Sequence, residues 1–375
     1  MKKVVIAIDS FKGCLPSVEA GKAAAEGIRS VYPECEVICL PIADGGEGML
    51  DVLIMATNGQ EAPISAHDPL MRWRNTYYGI SENGETAFIE MASISGLPLV
   101  PPERRNPMLT TTYGTGEIIR DALERGCRNF IIGIGGSATN DAGLGMLQAL
   151  GFRFSDKEGK EVGTGRGEVL IKVAYIDSTF VHPALNSCRF TVACDVQNPF
   201  YGPEGAAYVF APQKGADREM VEALDAGLQN FAEVIRHTTG KDISHHPGAG
   251  AAGGMGGSLL AFLNAELKPG IQLMLEALDF SNKIKSADLI ITGEGKADRQ
   301  TLMGKVRFGI LAEARKQHMP VILLAGNIED SDELQQAGFE GVFSVNPPFI
   351  SLEEAMRPEV ARKNIQQTVE SICKK

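Results

Sequence analysis

The sequence predicts an α/β protein in which both ends of the chain build one doubly wound parallel sheet. The middle of the chain forms an inserted α/β domain with a mixed sheet. Short apolar, β-branched runs alternate with helical stretches at both ends of the chain, which is typical of parallel layered folds. Between them lie a hairpin signal and long glycine-rich loops. The expected domains are residues 1–65 with 285–375, and residues 66–284.

The N-terminal segment predicts a β-α-β-α order. Residues 4–8 form a continuous apolar run, typical of a strand buried on both faces. A helix rich in Ala and Glu is expected over residues 18–30, with Ser17 or Ser10 as its N-cap. A second strand over 36–41 and a helix over 49–57 follow.

The C-terminal segment repeats this order. Strands are expected over 287–292, 320–324 and 341–345, with helices around 309–317 and 352–373. Two strands from the start and three from the end make a five-stranded sheet, and right-handed crossovers allow these units to pack together.

The predicted insertion has its own strands and helices. Two alternating segments flank an Asn-Gly turn at residues 82–85 and predict a hairpin. Trp73 in the first of them is expected in the core. The predicted elements of the insertion are strands 72–80, 86–91, 129–134 and 190–193, and helices 217–237 and 258–267.

Composition excludes several classes of protein. Lys and Arg number 36 against 47 Asp and Glu, so the net charge is −11. An acidic chain without a basic run is a poor binder of nucleic acid or of anionic membranes. No apolar stretch reaches the roughly 18–20 residues of a membrane span, and we expect a cytoplasmic protein. The 7 cysteines contain no C-x-x-C pair, which disfavours a disulfide framework or a structural zinc site.

Glycine-rich loops are the main functional signal, since 42 of the 375 residues are glycine. Five loops combine glycine with carboxylate, amide or hydroxyl side chains, and most follow a predicted strand. In open α/β sheets, ligands bind at this carboxyl edge. A single cluster of this kind is also typical of a tight turn. The five loops span residues 9–13, 43–48, 133–143, 247–257 and 292–298.

These loops predict phosphate chemistry. Glycines let backbone N–H groups approach phosphate oxygens, and nearby carboxylates then require a divalent cation. The P-loop motif is absent because Val306 follows Gly304-Lys305, and the dinucleotide motif is broken by Ala138. The sequence therefore favours neither a P-loop NTPase nor an ordinary dehydrogenase.

Eight motifs occur together along nearly the whole chain. They are IDSFKG at 8–13, ADGGEG at 43–48, TTTYGTGE at 110–117, GGSATND at 135–141, ACDVQNP at 193–199, PQKG at 212–215, PGAGAAGG at 247–254 and TGEGKAD at 292–298. As a set, in this order, they resemble the class I glycerate kinases of bacteria.

The resemblance implies a flavodoxin-like domain built from both chain ends, with a second α/β domain inserted. It implies ATP-dependent, Mg²⁺-assisted phosphorylation of D-glycerate in a cleft between the domains, at the 2-hydroxyl, giving 2-phosphoglycerate and ADP. A monomer or homodimer is expected. Two alternatives stay open at this point: another hydroxy-acid or sugar-acid kinase on the same scaffold, and a non-catalytic sensor of a phosphorylated metabolite.

With that reaction implied, residues can be given expected roles. A general base should be Asp44 or, next, Asp9, while Lys12 or Lys214 should neutralise the transferring phosphoryl group. The sequence leaves open which loops bind nucleotide and which bind glycerate. The expected substrate-binding residues are Ser10, Arg72, Arg105, Ser137, Asn140 and Asp141. The expected nucleotide-binding residues are Gly248, Gly250, Gly253, Gly254, Gly293 and Gly295. The expected metal ligands are Asp195, Asp298 and Glu294.

Overall fold

The structure, a computed structural model, describes residues 1–11, 13–43, 48–297, 306–329 and 331–374. It divides into two compact units. Unit 1 contains residues 1–44 and 271–375, and unit 2 contains residues 45–270. The domain limits predicted from the sequence stay a proposal. No helix within the described ranges is long and apolar enough to cross a membrane.

The strands and helices of the described residues follow in chain order. The strands are β1 Lys3–Ile8, β2 Glu36–Cys39, β3 Gln60–His67, β4 Trp73–Ile80, β5 Thr86–Glu90, β6 Asn129–Gly133, β7 Arg153–Ser155, β8 Tyr175–Asp177, β9 Arg189–Ala193, β10 Glu266–Lys268, β11 Leu289–Ala297, β12 Val321–Ile328 and β13 Gly341–Ser344. The α-helices are α1 Ser17–Val31, α2 Met49–Ala56, α3 Ala92–Ser95, α4 Tyr113–Glu124, α5 Leu144–Ala149, α6 Ala206–Phe210, α7 Arg218–Thr239, α8 Met255–Phe262, α9 Gly270–Ala277, α10 Phe280–Lys283, α11 Val306–Lys316, α12 Ser331–Gln336, α13 Leu352–Ala355 and α14 Pro358–Cys373.

The described part of unit 1 contains a five-stranded sheet in the order β2-β1-β11-β12-β13, and every strand pair is parallel. Counted along the chain within this unit, the order is 2-1-3-4-5, which is the flavodoxin-like arrangement. The predicted α/β fold with a parallel sheet from both chain ends is confirmed. Because the winding direction reverses between β1 and β11, the carboxyl ends of these two strands mark the expected ligand position in unit 1.

Strand β1 forms because its side chains are apolar on both faces. Residues 4–8 are at most 1% exposed. Val4, Ile6 and Ile8 pack with Ile291 of β11 and with the alanine-rich face of α1. Residues of α14, Ile365 and Val369, complete the same core. An all-apolar strand of this kind is stable only in the middle of a covered parallel sheet, which is where β1 lies.

Several local expectations in unit 1 were wrong. Pro16 holds the N-cap position of α1, and Ser17 does not cap that helix. Instead, its hydroxyl donates to Ile8 O at 2.5 Å and accepts from Ile42 N at 3.0 Å, which ties the end of β1 to the segment after β2. Residues 293–297, expected in a loop, extend β11. The expected helix 352–373 is two helices, because Pro358 begins a new one.

Unit 2 contains, in its described part, a mixed sheet in the order β10-β9-β6-β5-β4-β3. The strands from β10 to β5 pair in parallel, whereas β5-β4 and β4-β3 are antiparallel. The predicted hairpin of β4 and β5 is confirmed. Strand β3 was not predicted. Because β5, β6 and β9 run in the same direction, the loops that follow them leave one edge of the sheet, and the loops after β6 and β9 carry the candidates Ser137, Asn140, Asp141 and Asp195.

The expectation that Trp73 lies in the core was wrong. Its side chain is 67% exposed, and its ring packs on that of His67, with the centroids 4.0 Å apart. Trp73 is the first residue of β4 and pairs with the last residue of the edge strand β3. At this corner of the sheet no further layer covers the ring.

Candidate functional site

The loop of residues 134–143, which follows β6, is fixed by Asp141. This buried carboxylate accepts hydrogen bonds from Thr112 N and Thr112 Oγ1, both at 2.8 Å. It also accepts from Gly143 N at 3.2 Å and Gly145 N at 3.3 Å. Burial raises the pKa of Asp141, and these hydrogen bonds oppose that shift. Because its carboxylate accepts four hydrogen bonds from the protein itself, Asp141 holds the loop in place and joins it to the start of α4.

A buried lysine contacts the same loop. Lys214 ends a 3-10 turn and is only 3% exposed. Its Nζ donates to Ser137 Oγ at 2.8 Å and to Thr139 O at 2.7 Å. Burial lowers the pKa of Lys214 to about 7, while the charge of Asp141 opposes the shift. An ammonium group has three protons to donate, so Lys214 can still donate one to a bound anion.

Consecutive polar side chains of the same loop have no hydrogen-bond partner. Thr139 and Asn140 are fully buried, yet Thr139 Oγ1, Asn140 Nδ2 and Asn140 Oδ1 are all unsatisfied. The other such atoms among the described residues are Arg166 Nε and Thr292 Oγ1. Buried polar atoms are normally satisfied. The loop of residues 134–143 therefore presents unused hydrogen-bonding capacity, and this is the feature expected of a ligand site.

Glycines 248, 250, 253 and 254 have a packing role in unit 2. A Cβ at Gly253 would lie 2.1 Å from Thr139 O, and one at Gly250 would lie 2.2 Å from Pro199 O. Gly248 and Gly254 have positive φ, and added Cβ atoms would lie about 3 Å from neighbouring side chains. Ala142 N also donates to Gly253 O at 3.0 Å. The glycines thus let this segment pack directly on the candidate site, and nucleotide binding by them stays a prediction.

Gly253→Ala should distort the candidate site. Its φ of +68° is strained for alanine, and the added methyl would collide with the Thr139 carbonyl. We expect the free energy of unfolding to fall by about 3 kcal/mol or more, measured by urea denaturation. Gly240→Ala is the matched control, because φ is +74° and nothing lies within 4 Å. It should cost only about 1 kcal/mol. Equal losses would contradict the packing role of Gly253.

The two candidate arginines are both in unit 2, but their surroundings differ. Arg72 Nε donates to Asp68 Oδ2 at 2.7 Å, and a second guanidinium nitrogen lies 2.6 Å from the same carboxylate. Arg105 Nε donates to Val100 O at 3.4 Å, and the Arg105 carbonyl lies against Gly215, next to Lys214. Arg72 therefore stabilises a buried carboxylate, whereas Arg105 lies close to the Lys214 turn.

Asp68→Asn should destabilise unit 2 at neutral pH. Burial pushes the pKa of Asp68 upward, but the hydrogen bonds from Arg72 and Leu70 hold it below its ordinary value. The ion pair therefore stabilises the fold above the unfolded-state pKa, and the contribution is lost as pH falls through the folded-state pKa. We expect a loss of about 2 kcal/mol at pH 7 that shrinks towards pH 3, measured by urea unfolding. A loss independent of pH would contradict this account.

Asp195 lies directly after β9, at the same sheet edge as the loop of residues 134–143. Its side chain is exposed, and Oδ1 accepts a hydrogen bond from Gly270 N at 2.9 Å. This contact places the carboxylate at the first residue of α9. The cation-binding role that the sequence predicts for Asp195 stays a prediction.

In unit 1, two carboxylates lie at the same level of neighbouring strands, Asp9 directly after β1 and Glu294 within β11. Ile8 of β1 pairs with Gly293 of β11, and Asp9 N donates to Gly293 O at 3.0 Å. Asp9 follows Ile8 and Glu294 follows Gly293, so both acids lie at the point where the winding direction reverses. They are 5% and 7% exposed. Ser10 N donates to Asp9 Oδ1 at 2.7 Å, which helps to orient the Asp9 carboxylate.

Other expected residues lie outside the described residues or await a test. Lys12, Asp44 and Asp298 belong to the first group. Gly293 and Gly295 lie within β11, and a Cβ at Gly293 would be 2.9 Å from Leu324 O. Within the described ranges, no group of three or more His, Cys, Asp or Glu side chains is placed to hold a metal ion. The set of Asp195, Asp298 and Glu294 therefore stays a prediction.

Sequence reasoning missed three contributors to the site. Thr139, Thr112 and Asp68 were not singled out, although two of them lie in quoted motifs. The position of Asp68 four residues before Arg72 is a pairing signal. The unsatisfied state of Thr139 has no sequence signal, because it depends on how tightly Gly253 and Lys214 enclose the loop.

The fold and these loops define an α/β protein with two units. One unit has the flavodoxin-like strand order, and the other has a mixed sheet and a buried lysine that can bind an anion. Comparison with known proteins agrees with this class and narrows it. A model of the glycerate kinase family matches residues 4–375. The chain belongs to the glycerate kinase family.

Individual relatives are similar over nearly their whole length. A protein of Escherichia coli K12 named glycerate 2-kinase is 48% identical over 356 residues, which is 95% of this chain and 93% of that protein. A Bacillus subtilis 168 protein named glycerate kinase is 46% identical and covers 99% and 97%. A crystal structure of a Salmonella typhimurium LT2 protein with the provisional name glycerate kinase 2 matches with a TM-score of 0.91, at 43% identity, covering 100% and 97%.

Proposed function

We propose that this protein is a kinase that phosphorylates D-glycerate with ATP, at the 2-hydroxyl, to give 2-phosphoglycerate and ADP. The observation that carries the proposal is the full-length similarity to proteins named glycerate kinase and glycerate 2-kinase. The buried Lys214 in the glycine-rich edge of unit 2 supports it, since a fixed cation there suits an anionic reactant. We further propose that the protein acts in the cytoplasm.

The chain's own residues supply the charges that phosphoryl transfer requires. Catalysis of this reaction rests on positioning and on neutralising the phosphoryl oxygens. Lys214 binds an anionic group of the reactants through its remaining proton, while Ser137 and the Thr139 carbonyl hold the amine in place. Asp141 keeps the loop of residues 134–143 in one conformation. Asp44 and Asp9 stay the candidates for the general base.

Magnesium fits the donor chemistry of unit 1. Asp9, directly after β1, and Glu294, within the neighbouring strand β11, provide hard carboxylate oxygens of the kind that Mg²⁺ prefers. We propose that Glu294 and Asp9, with Asp298 as a further candidate, hold the cation that accompanies ATP. When bound, this cation neutralises charge on the phosphate oxygens. Asp9 would then be a ligand, which leaves Asp44 as the first candidate for the base.

The proposal is tested by measuring ADP release with Mg²⁺-ATP and a panel of acceptors. D-glycerate should support turnover, whereas glycerol should not, because it lacks the anionic group. Other hydroxy acids and sugar acids in the panel test the alternative substrate class. No ADP release with glycerate, combined with turnover of a sugar acid, would refute glycerate as the substrate. No release with any acceptor would refute the kinase proposal.

A further inference from the structure

The unsatisfied atoms belong to the loop that Lys214 contacts through the Thr139 carbonyl. Asp141 fixes the loop through Thr112, and Gly253 packs against the Thr139 carbonyl. Within the described residues, no protein group completes the hydrogen bonds of the Thr139 and Asn140 side chains. Their unsatisfied hydroxyl and amide carry a desolvation cost in the free protein, unless a ligand supplies the missing hydrogen bonds.

The chemistry of these atoms indicates what the ligand contains. The Asn140 amide offers a donor and an acceptor whichever way it is oriented. Lys214 Nζ, which already contacts the Thr139 carbonyl, adds a charged donor. An ATP phosphate presents acceptor oxygens alone, so it would leave the amide oxygen unsatisfied. A hydroxy acid presents both a carboxylate, which accepts, and a neighbouring hydroxyl, which donates.

We propose that Asn140 and Thr139, together with Lys214, bind the hydroxy-acid end of the acceptor substrate. The amide N–H and the Lys214 ammonium donate to the carboxylate, and the amide oxygen accepts from a hydroxyl. The Thr139 hydroxyl adds a further hydrogen bond. This assignment rests on the proposed function and deepens it, because it makes this loop the specificity determinant for hydroxy acids over neutral polyols. A site built to hydrogen-bond a group strongly rejects analogues that lack it.

The first test replaces Thr139 by the isosteric valine. We expect the KM for D-glycerate to rise about 10-fold, while the KM for ATP changes less than about twofold. The melting temperature of the ligand-free protein should rise by about 2–4 °C, because an unsatisfied hydroxyl is removed. Thr139→Ser, which keeps the hydroxyl, should restore the KM. A merely structural threonine would lower the melting temperature and alter both KM values.

The second test replaces Asn140 by aspartate, which has the same shape. The new carboxylate removes the amide donor and repels the substrate carboxylate. We expect the KM for D-glycerate to rise about 100-fold, with little change in the KM for ATP. Asn75→Asp is the control, because Asn75 is exposed on β4 in the same unit. It should behave as the unaltered protein does.

The outcomes separate this inference from the proposed function. A rise in the KM for ATP without one for glycerate would assign the loop to the nucleotide and overturn the inference. Unchanged KM values would mean that these atoms bind water only, and would also overturn it. Binding of D-glycerate and D-lactate without ATP is followed by thermal shift. If both stabilise the unaltered protein but not the Asn140→Asp variant, the hydroxy-acid site stands even if no phosphorylation occurs.

Discussion

Lys214→Met should lower kcat/KM for glycerate by about 10²–10³-fold. Methionine fills a similar volume but supplies no charge and cannot donate to an anionic reactant, whereas Lys214 is a buried ammonium held by Ser137 and the Thr139 carbonyl. The fold should survive, because removing the buried ammonium relieves the desolvation that lowers its pKa to about 7, and this offsets the two hydrogen bonds that are lost. Steady-state kinetics would measure the loss.

The control for this variant is Lys172→Met. Lys172 is an exposed lysine of the same unit, and its replacement should leave kcat/KM within about twofold. If Lys214→Met kept more than a third of the activity while folding normally, the buried ammonium would have no role in the reaction.

The same lysine predicts two opposite pH dependences. With a folded-state pKa of about 7, the ammonium form declines above pH 7, so the KM for an anionic reactant should rise there. The unfolded state holds this proton up to about pH 10, so it binds more protons than the folded state between these values. Stability should therefore increase with pH across that interval. In Lys214→Met, neither the rise in KM above pH 7 nor this increase in stability with pH should occur.

Glu294→Gln should lower kcat about 10²-fold and raise the Mg²⁺ concentration needed for half-maximal rate. Glutamine has the same shape, but it is a much weaker ligand for a divalent cation. Glu294 lies in β11 at the level of Asp9, which directly follows β1. Asp9→Asn should therefore give a similar defect, and the double variant should lose little more than either single one.

Glu340→Gln serves as the matched control for Glu294, since Glu340 is an exposed glutamate of unit 1. Its Mg²⁺ titration should superimpose on that of the unaltered protein. A Glu294→Gln variant with a normal Mg²⁺ titration would contradict the assignment of this carboxylate to the metal.

The fold could be predicted where a local pattern of apolar residues shows which side chains are buried. The run at residues 4–8 is apolar on both faces, so it identifies a central parallel strand without further information. The extension of β11 through Gly293–Ala297 was not predictable, because glycine-rich polar residues favour loops. These residues are held in a strand by pairing with β12, as between Lys296 and Asn327.

The edge strand β3 was missed for a related reason. Its sequence, QEAPISAH, contains a proline and little apolar material, so local propensity argues against a strand. The strand exists because it pairs with β4 over its full length and because Glu117 of α4 accepts from His67 N at 2.7 Å. Tertiary contacts of this kind leave no local signal.

The candidate site likewise contains features that a local sequence pattern predicts and features that depend on tertiary contacts. The glycine-rich loop of residues 134–143 was readable, because glycine with amide and hydroxyl side chains after a strand predicts a ligand loop. The burial of Lys214 was not readable, since a lysine after a short turn is usually solvated. It is enclosed because the loop after β6 brings Ser137 and the Thr139 carbonyl onto its amine, and that meeting depends on the packing of the whole unit.

The measurement that tests the central claim most directly is phosphorus NMR of a reaction containing the protein, Mg²⁺-ATP and D-glycerate. The account predicts ADP together with a new phosphomonoester signal split into a doublet by the single proton on carbon 2. A triplet would place the phosphoryl group on carbon 3, and would contradict the 2-hydroxyl assignment. A spectrum with unchanged ATP, or with ADP and inorganic phosphate alone, would contradict phosphoryl transfer to glycerate.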